Sequence, residues 1–339
     1  MSKKHRWATK LILVLVLFGM TAYYFFESMQ RFANAPLSTI ENTVMLTVEK
    51  GDGLNKVIPK LRAIGITTGA DWQWKLLAIQ MNMASKIHVG DYEINREMSP
   101  AQLLKKLAVG DTARVKFTLI EGWNFKQLMA QLKLQTDLGD DLSGKSSAQI
   151  MTMLGKPGVH PEGRFLPDTY IIPRSGQQSQ ILQLAANAMD SALAETWEHR
   201  EPNLPLQSAE QLLILASIVE KETGQAHERP QIAGVFIRRL NLGMRLQTDP
   251  TVIYGMGDTY QGNIRKQDLR ADTAYNTYTR TGLPPTPIAM PGLAALTATA
   301  HPAKGEDLYF VAKGNREHHF SPTYKEHQQA VKQYQLKKN

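Results

Sequence analysis

The sequence predicts an α+β protein in three parts: an N-terminal transmembrane helix, a small β-α-α-β subdomain and a larger mixed α+β domain. Three observations predict this organisation. An uncharged apolar run near the N-terminus is long enough to enter a membrane. Short alternating segments rich in β-branched residues lie between segments of helical periodicity. The chain has 339 residues, of which 42% are hydrophobic, which is enough for about two domains of ~150 residues.

The transmembrane segment is the uncharged run 11–26. At ~1.5 Å per residue it spans about 24 Å, and Trp7, Ala8 and Thr9 extend it towards the ~30 Å of a hydrocarbon core. Basic residues precede the run and Glu27 follows it. The positive-inside rule therefore predicts a cytoplasmic tail, residues 1–10, with the rest of the chain outside.

A cleaved signal peptide is the alternative interpretation of the same segment. The small-x-small triplet 33–35 resembles a cleavage site, but it lies well beyond the apolar run and Pro36 follows it directly. An uncleaved anchor is therefore favoured. We expect a single-pass protein of the cell inner membrane with its folded part in the periplasm, where enzymes that need ATP or NAD are not expected.

Charge and composition exclude several classes of function. Four of the eight net positive charges lie in the first ten residues, so the body of the chain has no basic stripe and is not expected to bind nucleic acid. The chain has no cysteine, which excludes disulfides, thiolate catalysis and cysteine-bound zinc. The metal, nucleotide and hydrolase motifs HExxH, GxGxxG and GxSxG are absent, and we expect no cofactor and no metal.

The region 27–42 is predicted to be a polar stalk, and 43–112 to be the β-α-α-β subdomain. Its strands are predicted at 44–49 and 89–94, and its helices from Leu54 and from Asp71. A further helix begins at Ser99-Pro100, which suit the N-cap and N1 positions. With its Gly-Asp turn after the first strand, this unit resembles a LysM domain. The resemblance implies binding of glycans that contain N-acetylglucosamine; a purely structural module is the alternative.

The larger domain, 113–339, contains several further predicted elements. The sequence predicts a strand at 115–120, a helix at 124–134, a short helix at 147–154 and a terminal hairpin that pairs 308–313 with 318–321. Because His318 and His319 are adjacent in a predicted strand, they point to opposite faces and do not suit one metal ion.

One helix of this domain carries an unusual carboxylate. Ser208 and Gln211 form a capping box before an almost uninterrupted apolar helix, 209–223, with Gly224 placed for a left-handed C-cap. Glu220 lies within this apolar helix, where burial and the helix dipole both raise its pKa, as a general acid requires. A salt bridge to one of several nearby arginines, Arg229 among them, is the alternative. Glu222 lies about 200° further around the helix and cannot face Glu220.

Uncharged polar side chains follow this helix. Pro230 begins a helix that ends near Leu242, and Thr248 or Asp249 is predicted to cap a short helix with Pro250 at N1. A groove rich in tyrosine, asparagine, glutamine and threonine suits a neutral polymer of hydroxyls and amides, such as a glycan. The candidate substrate-binding residues are Gln247, Asp249, Tyr275, Asn276, Tyr278 and Glu162.

Several long motifs then occur in one order: EGRFLPDTY (162–170), ASIVEKET (216–223), FIRRLNLGMRLQTDPTVIYG (236–255), AYNTYTRTGLPPTPI (274–288) and HPAKGEDLYFVAKG (301–314). Together they resemble the endolytic murein transglycosylases, the MltG or YceG-like family, from about residue 115 to the C-terminus. The resemblance implies a membrane-anchored lyase that cleaves nascent peptidoglycan strands, with peptidoglycan synthases as possible partners. It also implies that Glu220 is the catalytic acid/base.

Two alternatives remain open at this stage. A second carboxylate, Glu162 or Asp168, would make the protein a hydrolase, although contact with substrate or a role in loop structure is favoured for both. A non-catalytic peptidoglycan-binding adaptor of the cell-wall synthesis machinery would use the LysM-like unit and would tolerate loss of Glu220.

Overall fold

The computed structural model describes residues 3–38 and 41–336. It is a mixed α+β structure with an N-terminal apolar helix. The chain divides into two compact units, unit 1 (1–115 with 173–176) and unit 2 (116–172 with 177–339). The strands β3 (Arg114–Thr118) and β4 (Thr169–Pro173) pair with each other, and the division between the units falls within them.

Unit 1 has the predicted order of elements. Its bounds are α1 Lys3–Asn34, β1 Thr43–Val48, α2 Leu54–Ala63, α3 Asp71–Gln80, β2 Gly90–Asn95 and α4 Pro100–Val109. The two strands are antiparallel, with Thr43 opposite Asn95 and Val48 opposite Gly90. Alternate residues of the strands, Leu46 and Tyr92 among them, enter a core that the helices cover. The Ser99 hydroxyl accepts the N–H of Gln102 and caps α4, as predicted.

The N-terminal helix is longer than the predicted span. Within the described residues, the stretch Trp7–Asn34 is long and apolar enough to cross a membrane. The expected stalk, 27–42, is not formed over its first half, because α1 continues to Asn34 and buries Met29, Phe32 and Ala33 in the core of unit 1. Their i, i+3, i+4 spacing supplies an apolar stripe that a stalk would lack. Thr39 and Ile40 lie outside the described residues.

Unit 2 is mostly helical. After β3 its helices are α5 Phe125–Lys133, α6 Ser147–Met153, α7 Gln178–Glu198, α8 Ala209–Glu222, α9 Arg229–Asn241, α10 Asp249–Met256, α11 Lys266–Arg270, α12 Leu293–Ala300 and α13 Tyr324–Val331. A short 3-10 turn, Gly257–Thr259, follows α10, and a π-helical turn, Lys332–Leu336, follows α13. The predicted terminal hairpin is confirmed as β5 Tyr309–Ala312 and β6 His318–Ser321, with Tyr309 opposite Ser321.

The helix α8 lies at the centre of unit 2. Every residue from Leu212 to Glu220 is buried, and α7, α9, α10 and α12 pack around the helix. The Ser208 hydroxyl accepts the N–H of Gln211, so the predicted N-cap is confirmed. The helix α8 is apolar on almost all sides because it is the central helix of the core of unit 2.

The end of α8 differs from the prediction. The helix ends at Glu222, Thr223 is extended, and Gly224 is not left-handed. The Thr223 hydroxyl donates to Oε2 of Glu228 at 3.0 Å and accepts the N–H of Gln225 at 3.0 Å. These side-chain hydrogen bonds direct the chain away from the helix, so a glycine cap is not needed.

Candidate active site

Glu220 sits in the last turn of α8, where α12 begins. Its side chain is 5% exposed, and its Oε2 accepts the backbone N–H of Gly292, the N-cap residue of α12, at 3.0 Å. One turn earlier, the buried Ser217 hydroxyl accepts the N–H of Ile288 at 3.0 Å. The segment 288–292 is therefore fixed along α8, and its last residue aims an N–H at Glu220.

Two charged side chains approach Glu220. Nη2 of Arg229 lies 3.6 Å from Oε1 of Glu220 and 3.5 Å from Oε2 of Glu121. Arg229, one of the arginines named as a possible partner of Glu220, is thus shared between two carboxylates at distances beyond a hydrogen bond. Glu121 lies shortly after β3 in the chain. Its side chain comes close to Gly292: a Cβ added to Gly292 would lie 2.1 Å from Oε1 of Glu121.

These surroundings raise the pKa of Glu220. Burial is the largest cause, and the negative charge of Glu121 acts in the same direction. The N–H of Gly292 and the charges of Arg229 and Lys221 lower the pKa and offset part of this effect. The net direction is upward, so the carboxyl holds its proton closer to neutral pH than an exposed glutamate does. Such a group can donate a proton to a leaving oxygen and take one back.

A cleft of 810 Å³ runs beside this carboxyl. Its walls come from the loop before α5, from α10 and from the segment after it, and Glu162, Lys221, Tyr254 and Tyr275 are among the lining residues. We call it the first cleft. Glu220 is not itself in its wall, but Gly122 is, and a Cβ added to Gly122 would lie 3.9 Å from Cγ of Glu220. Gly122 has a φ of 76° and no side chain to close this end of the cleft.

Glu162 is a second buried carboxylate, and it lies in the wall of the first cleft. It is 3% exposed, its Oε1 accepts the N–H of Phe125 at 3.0 Å, and its Oε2 accepts the Tyr254 hydroxyl at 3.1 Å. Burial raises the pKa of Glu162 to about 7 against the pull of these donors. The Tyr275 ring meets Tyr254 edge-on at 4.9 Å, so both tyrosines line this cleft beside Glu162. Asp168, by contrast, is exposed and accepts the N–H of Thr169.

Three of the remaining candidate residues line a different cavity. Gln247, Asp249 and Tyr278 lie with Glu222 in a second cleft of 390 Å³, against the terminal hairpin. The Tyr278 hydroxyl donates to Oδ1 of Asp249 at 2.6 Å. Glu222 accepts the hydroxyl of Thr248, and burial raises its pKa to about 7. Thr248 is the N-cap residue of α10, as predicted, but its side chain makes no capping hydrogen bond and bonds to Glu222 instead. Asp249 is the first residue of the helix, and its carboxylate accepts the Tyr278 hydroxyl.

Asn276 is buried inside the loop that follows α11. It is 1% exposed, and its Nδ2 reaches the carbonyl oxygens of Asp268, Leu269 and Ala271 at 3.3, 3.1 and 2.7 Å. Its Oδ1 accepts the N–H of Tyr278 at 2.8 Å. The five polar residues 275–279 therefore separate into members that line a cleft and members that hold the loop.

Among the residues that the structure describes, no three histidine, aspartate or glutamate side chains lie close enough together to bind a metal ion. His318 is instead held by Glu228, whose Oε2 lies 2.8 Å from its Nδ1.

Sequence reasoning missed Glu121 as a neighbour of Glu220. No periodicity could have found it, because the two residues are far apart in the chain and meet only where the segment after β3 hydrogen-bonds to the segment before α12, with the N–H of Gly122 donating to the carbonyl oxygen of Met290.

The chain is similar to known proteins over most of its length. The model of the YceG-like family matches residues 46–333. An endolytic murein transglycosylase of Bacillus subtilis is 33% identical over 273 residues, covering 76% of this chain and 75% of that protein. An endolytic murein transglycosylase of Streptococcus pneumoniae is 30% identical over 259 residues, but this chain spans only 46% of its length.

A solved structure shows the same fold. The crystal structure of a YceG-like protein from Listeria monocytogenes superposes with a TM-score of 0.53 at 26% identity, covering 85% of this chain and 98% of that one. The family match extends over both units and includes every residue of the candidate site. The chain belongs to the YceG-like family.

Proposed function

We propose that this protein is a lytic transglycosylase that cleaves the glycan strands of nascent peptidoglycan, with Glu220 as its acid/base residue. The observation that carries the proposal is the position of Glu220, a buried carboxyl with a raised pKa at the open end of an 810 Å³ cleft. The names of the relatives from B. subtilis and S. pneumoniae, both endolytic murein transglycosylases, support this substrate and an endolytic mode of cleavage.

The proposed reaction uses one carboxyl group twice. Protonated Glu220 donates its proton to the oxygen between MurNAc and GlcNAc, and the bond from C1 of MurNAc to that oxygen breaks through an oxocarbenium-like transition state. The resulting carboxylate takes the proton of the C6 hydroxyl of the same MurNAc, whose oxygen closes on C1 to give 1,6-anhydroMurNAc. Because this nucleophile is intramolecular, the step consumes no water.

The first cleft is the proposed site of the glycan strand. Tyr254 and Tyr275 offer ring faces to sugar rings, and Glu162 offers a carboxyl whose pKa burial raises to about 7. Gln247, Asp249 and Tyr278 contact substrate only if the strand also enters the second cleft. For Asn276 we propose a structural role, because its amide is already committed to the loop.

The N-terminal helix is the proposed single-pass anchor in the cell inner membrane, with residues 1–10 in the cytoplasm and unit 2 in the periplasm. This orientation supports a role on strands as they are made, and we propose that cleavage ends their elongation beside peptidoglycan synthases. The β-α-α-β part of unit 1 is the proposed LysM-like glycan-binding domain, 43–112.

Mass spectrometry of the products tests this proposal. Full-length protein in detergent micelles is incubated with peptidoglycan, as wild type and as Glu220→Gln. Anhydro-ended fragments from the wild type alone are the expected result. Reducing-end fragments would show hydrolysis instead and would direct attention to Glu162. Glycan binding without cleavage by either protein would indicate an adaptor and overturn the proposal.

A further inference from the structure

The helix α1 touches α3 through two aromatic pairs, the first of which lies at the end of the apolar run. Phe25 stacks on Trp72, with ring centroids 5.8 Å apart and planes inclined by 15°. Phe32, two turns further along α1, meets Trp74 edge-on at 5.5 Å. Phe32 and Trp74 are buried in the core of unit 1, whereas Trp72 is 51% exposed. A buried pair thus fixes α1 to unit 1, and a partly exposed pair lies next to the apolar run.

The length of α1 gives the height of this exposed pair in a membrane. The stretch from Trp7 to Phe26 spans about 30 Å as a helix, which matches the hydrocarbon core of a bilayer. Phe25 then lies at the outer boundary of that core. The helix is unbroken as far as Asn34, so Trp72, which is stacked on Phe25, is held at the same level. Tryptophan is enriched at this boundary in membrane proteins.

The exposed side of α3 continues this apolar surface. Trp72, Leu76 and Ile79 follow i, i+4, i+7 spacing and share one face of the helix. Ile79 is 66% exposed and Leu76 is partly buried, while Lys75 is exposed beside them. An apolar face flanked by a lysine suits the boundary between acyl chains and lipid phosphates, where the ammonium group reaches the headgroups.

We propose that this face of α3, formed by Trp72, Leu76 and Ile79, lies in the interface of the bilayer leaflet in which α1 ends, so that unit 1 rests on the membrane surface. The occupant of the face is the lipid bilayer, because the face is continuous with the membrane-spanning helix through the Phe25–Trp72 stack. The inference rests on the proposed role of α1 as an anchor. It adds a second contact that sets the height of unit 1 above the membrane.

Single-cysteine labelling tests this placement, since the chain has no cysteine of its own. Nitroxide labels are placed on Trp72→Cys and Ile79→Cys in the full-length protein, reconstituted into nanodiscs of phosphatidylethanolamine and phosphatidylglycerol. Leu15→Cys reports on the span. Glu93→Cys is the water-facing control. Its neighbours in β2, Tyr92 and Ile94, point into the core that contains the end of α1, and because side chains alternate along a strand, Glu93 points away from that core and is exposed.

Collision rates with oxygen and with a water-soluble nickel complex separate lipid from water. We expect labels at 72 and 79 to be several-fold less accessible to nickel and more accessible to oxygen than the label at 93. A water-like label at 72 or 79, with a lipid-like label at 15, would overturn this inference and leave the anchor intact. A water-like label at 15 would overturn the anchor and this inference with it.

Discussion

Replacing Glu121 with glutamine should lower the pKa of Glu220 and move the alkaline limb of the pH–rate profile to lower pH. Glu121 raises the pKa of Glu220 through its negative charge, and it also competes for Arg229. Its loss removes the repulsion and leaves the guanidinium to Glu220 alone. Both changes favour the ionised form of Glu220, which cannot act as the acid.

The magnitude follows from the shared guanidinium. Each carboxylate oxygen lies within 3.6 Å of the same Nη2, so the two oxygens are no more than about 7 Å apart. At an effective dielectric constant of about 20, two unit charges at that distance repel by about 2 kcal/mol. The side chain of Glu121 is 47% exposed, and solvent screening reduces this to about 1 kcal/mol. The expected shift is therefore somewhat less than one pH unit.

The assay measures kcat/KM for release of anhydro-ended fragments between pH 5 and 9. Glu210→Gln is the matched control, because Glu210 is also half-exposed and also pairs with an arginine, Arg164, but it does not contact Glu220. The alkaline limb should move for Glu121→Gln and stay in place for Glu210→Gln. An unchanged or upward-shifted limb for Glu121→Gln would refute this account of the pKa of Glu220.

Three further substitutions test other parts of the account. Glu162 has a folded pKa of about 7 against an ordinary 4.5, so its contribution to stability, about 3 kcal/mol, is complete below pH 4.5 and is lost as pH rises through 7. Thermal unfolding of wild type and Glu162→Gln is compared at pH 5 and at pH 8. Because only the wild type loses this contribution as pH rises, the stability of Glu162→Gln relative to wild type should be higher at pH 8 than at pH 5, and an equal difference at both pH values would contradict the raised pKa. Asn276→Ala should lower the free energy of unfolding by about 2 kcal/mol in urea, because buried carbonyl oxygens lose their donor; a change below about 0.5 kcal/mol would argue against a structural role. Tyr278→Phe removes the donor to Asp249 and should change kcat/KM less than about threefold, whereas a tenfold loss would place the strand in the second cleft.

Short-range sequence signals predict much of the secondary structure of unit 2. The Ser208 cap, the buried course of α8 and the terminal hairpin all follow from signals within a few neighbouring residues. The sequence analysis predicts no element at α7, although its buried residues repeat with the spacing of one helix face: Ile181, Leu182, Ala185, Ala186, Met189 and Leu193. This periodicity is sufficient to predict the helix.

Contacts between distant segments were not predictable in this way. The meeting of Glu121 with Arg229 and the division of the polar loop between two clefts depend on how separate elements pack. The continuation of α1 into unit 1 was missed because Glu27, Gln30 and Arg31 give the segment a polar composition, while Met29, Phe32 and Ala33 form the stripe that is buried. Composition averages over the two faces of a helix, and burial depends on only one of them.

The most direct test of the central claim compares three glutamates in one assay. Glu220→Gln, Glu162→Gln and Glu222→Gln each remove one carboxyl of raised pKa from unit 2 while keeping its size. Single-turnover cleavage of peptidoglycan should fall by about a thousandfold or more for Glu220→Gln and by less than about tenfold for Glu222→Gln, with Glu162→Gln in between. Cleavage that survives in Glu220→Gln and is abolished in Glu162→Gln would contradict the assignment of Glu220 as the acid/base residue.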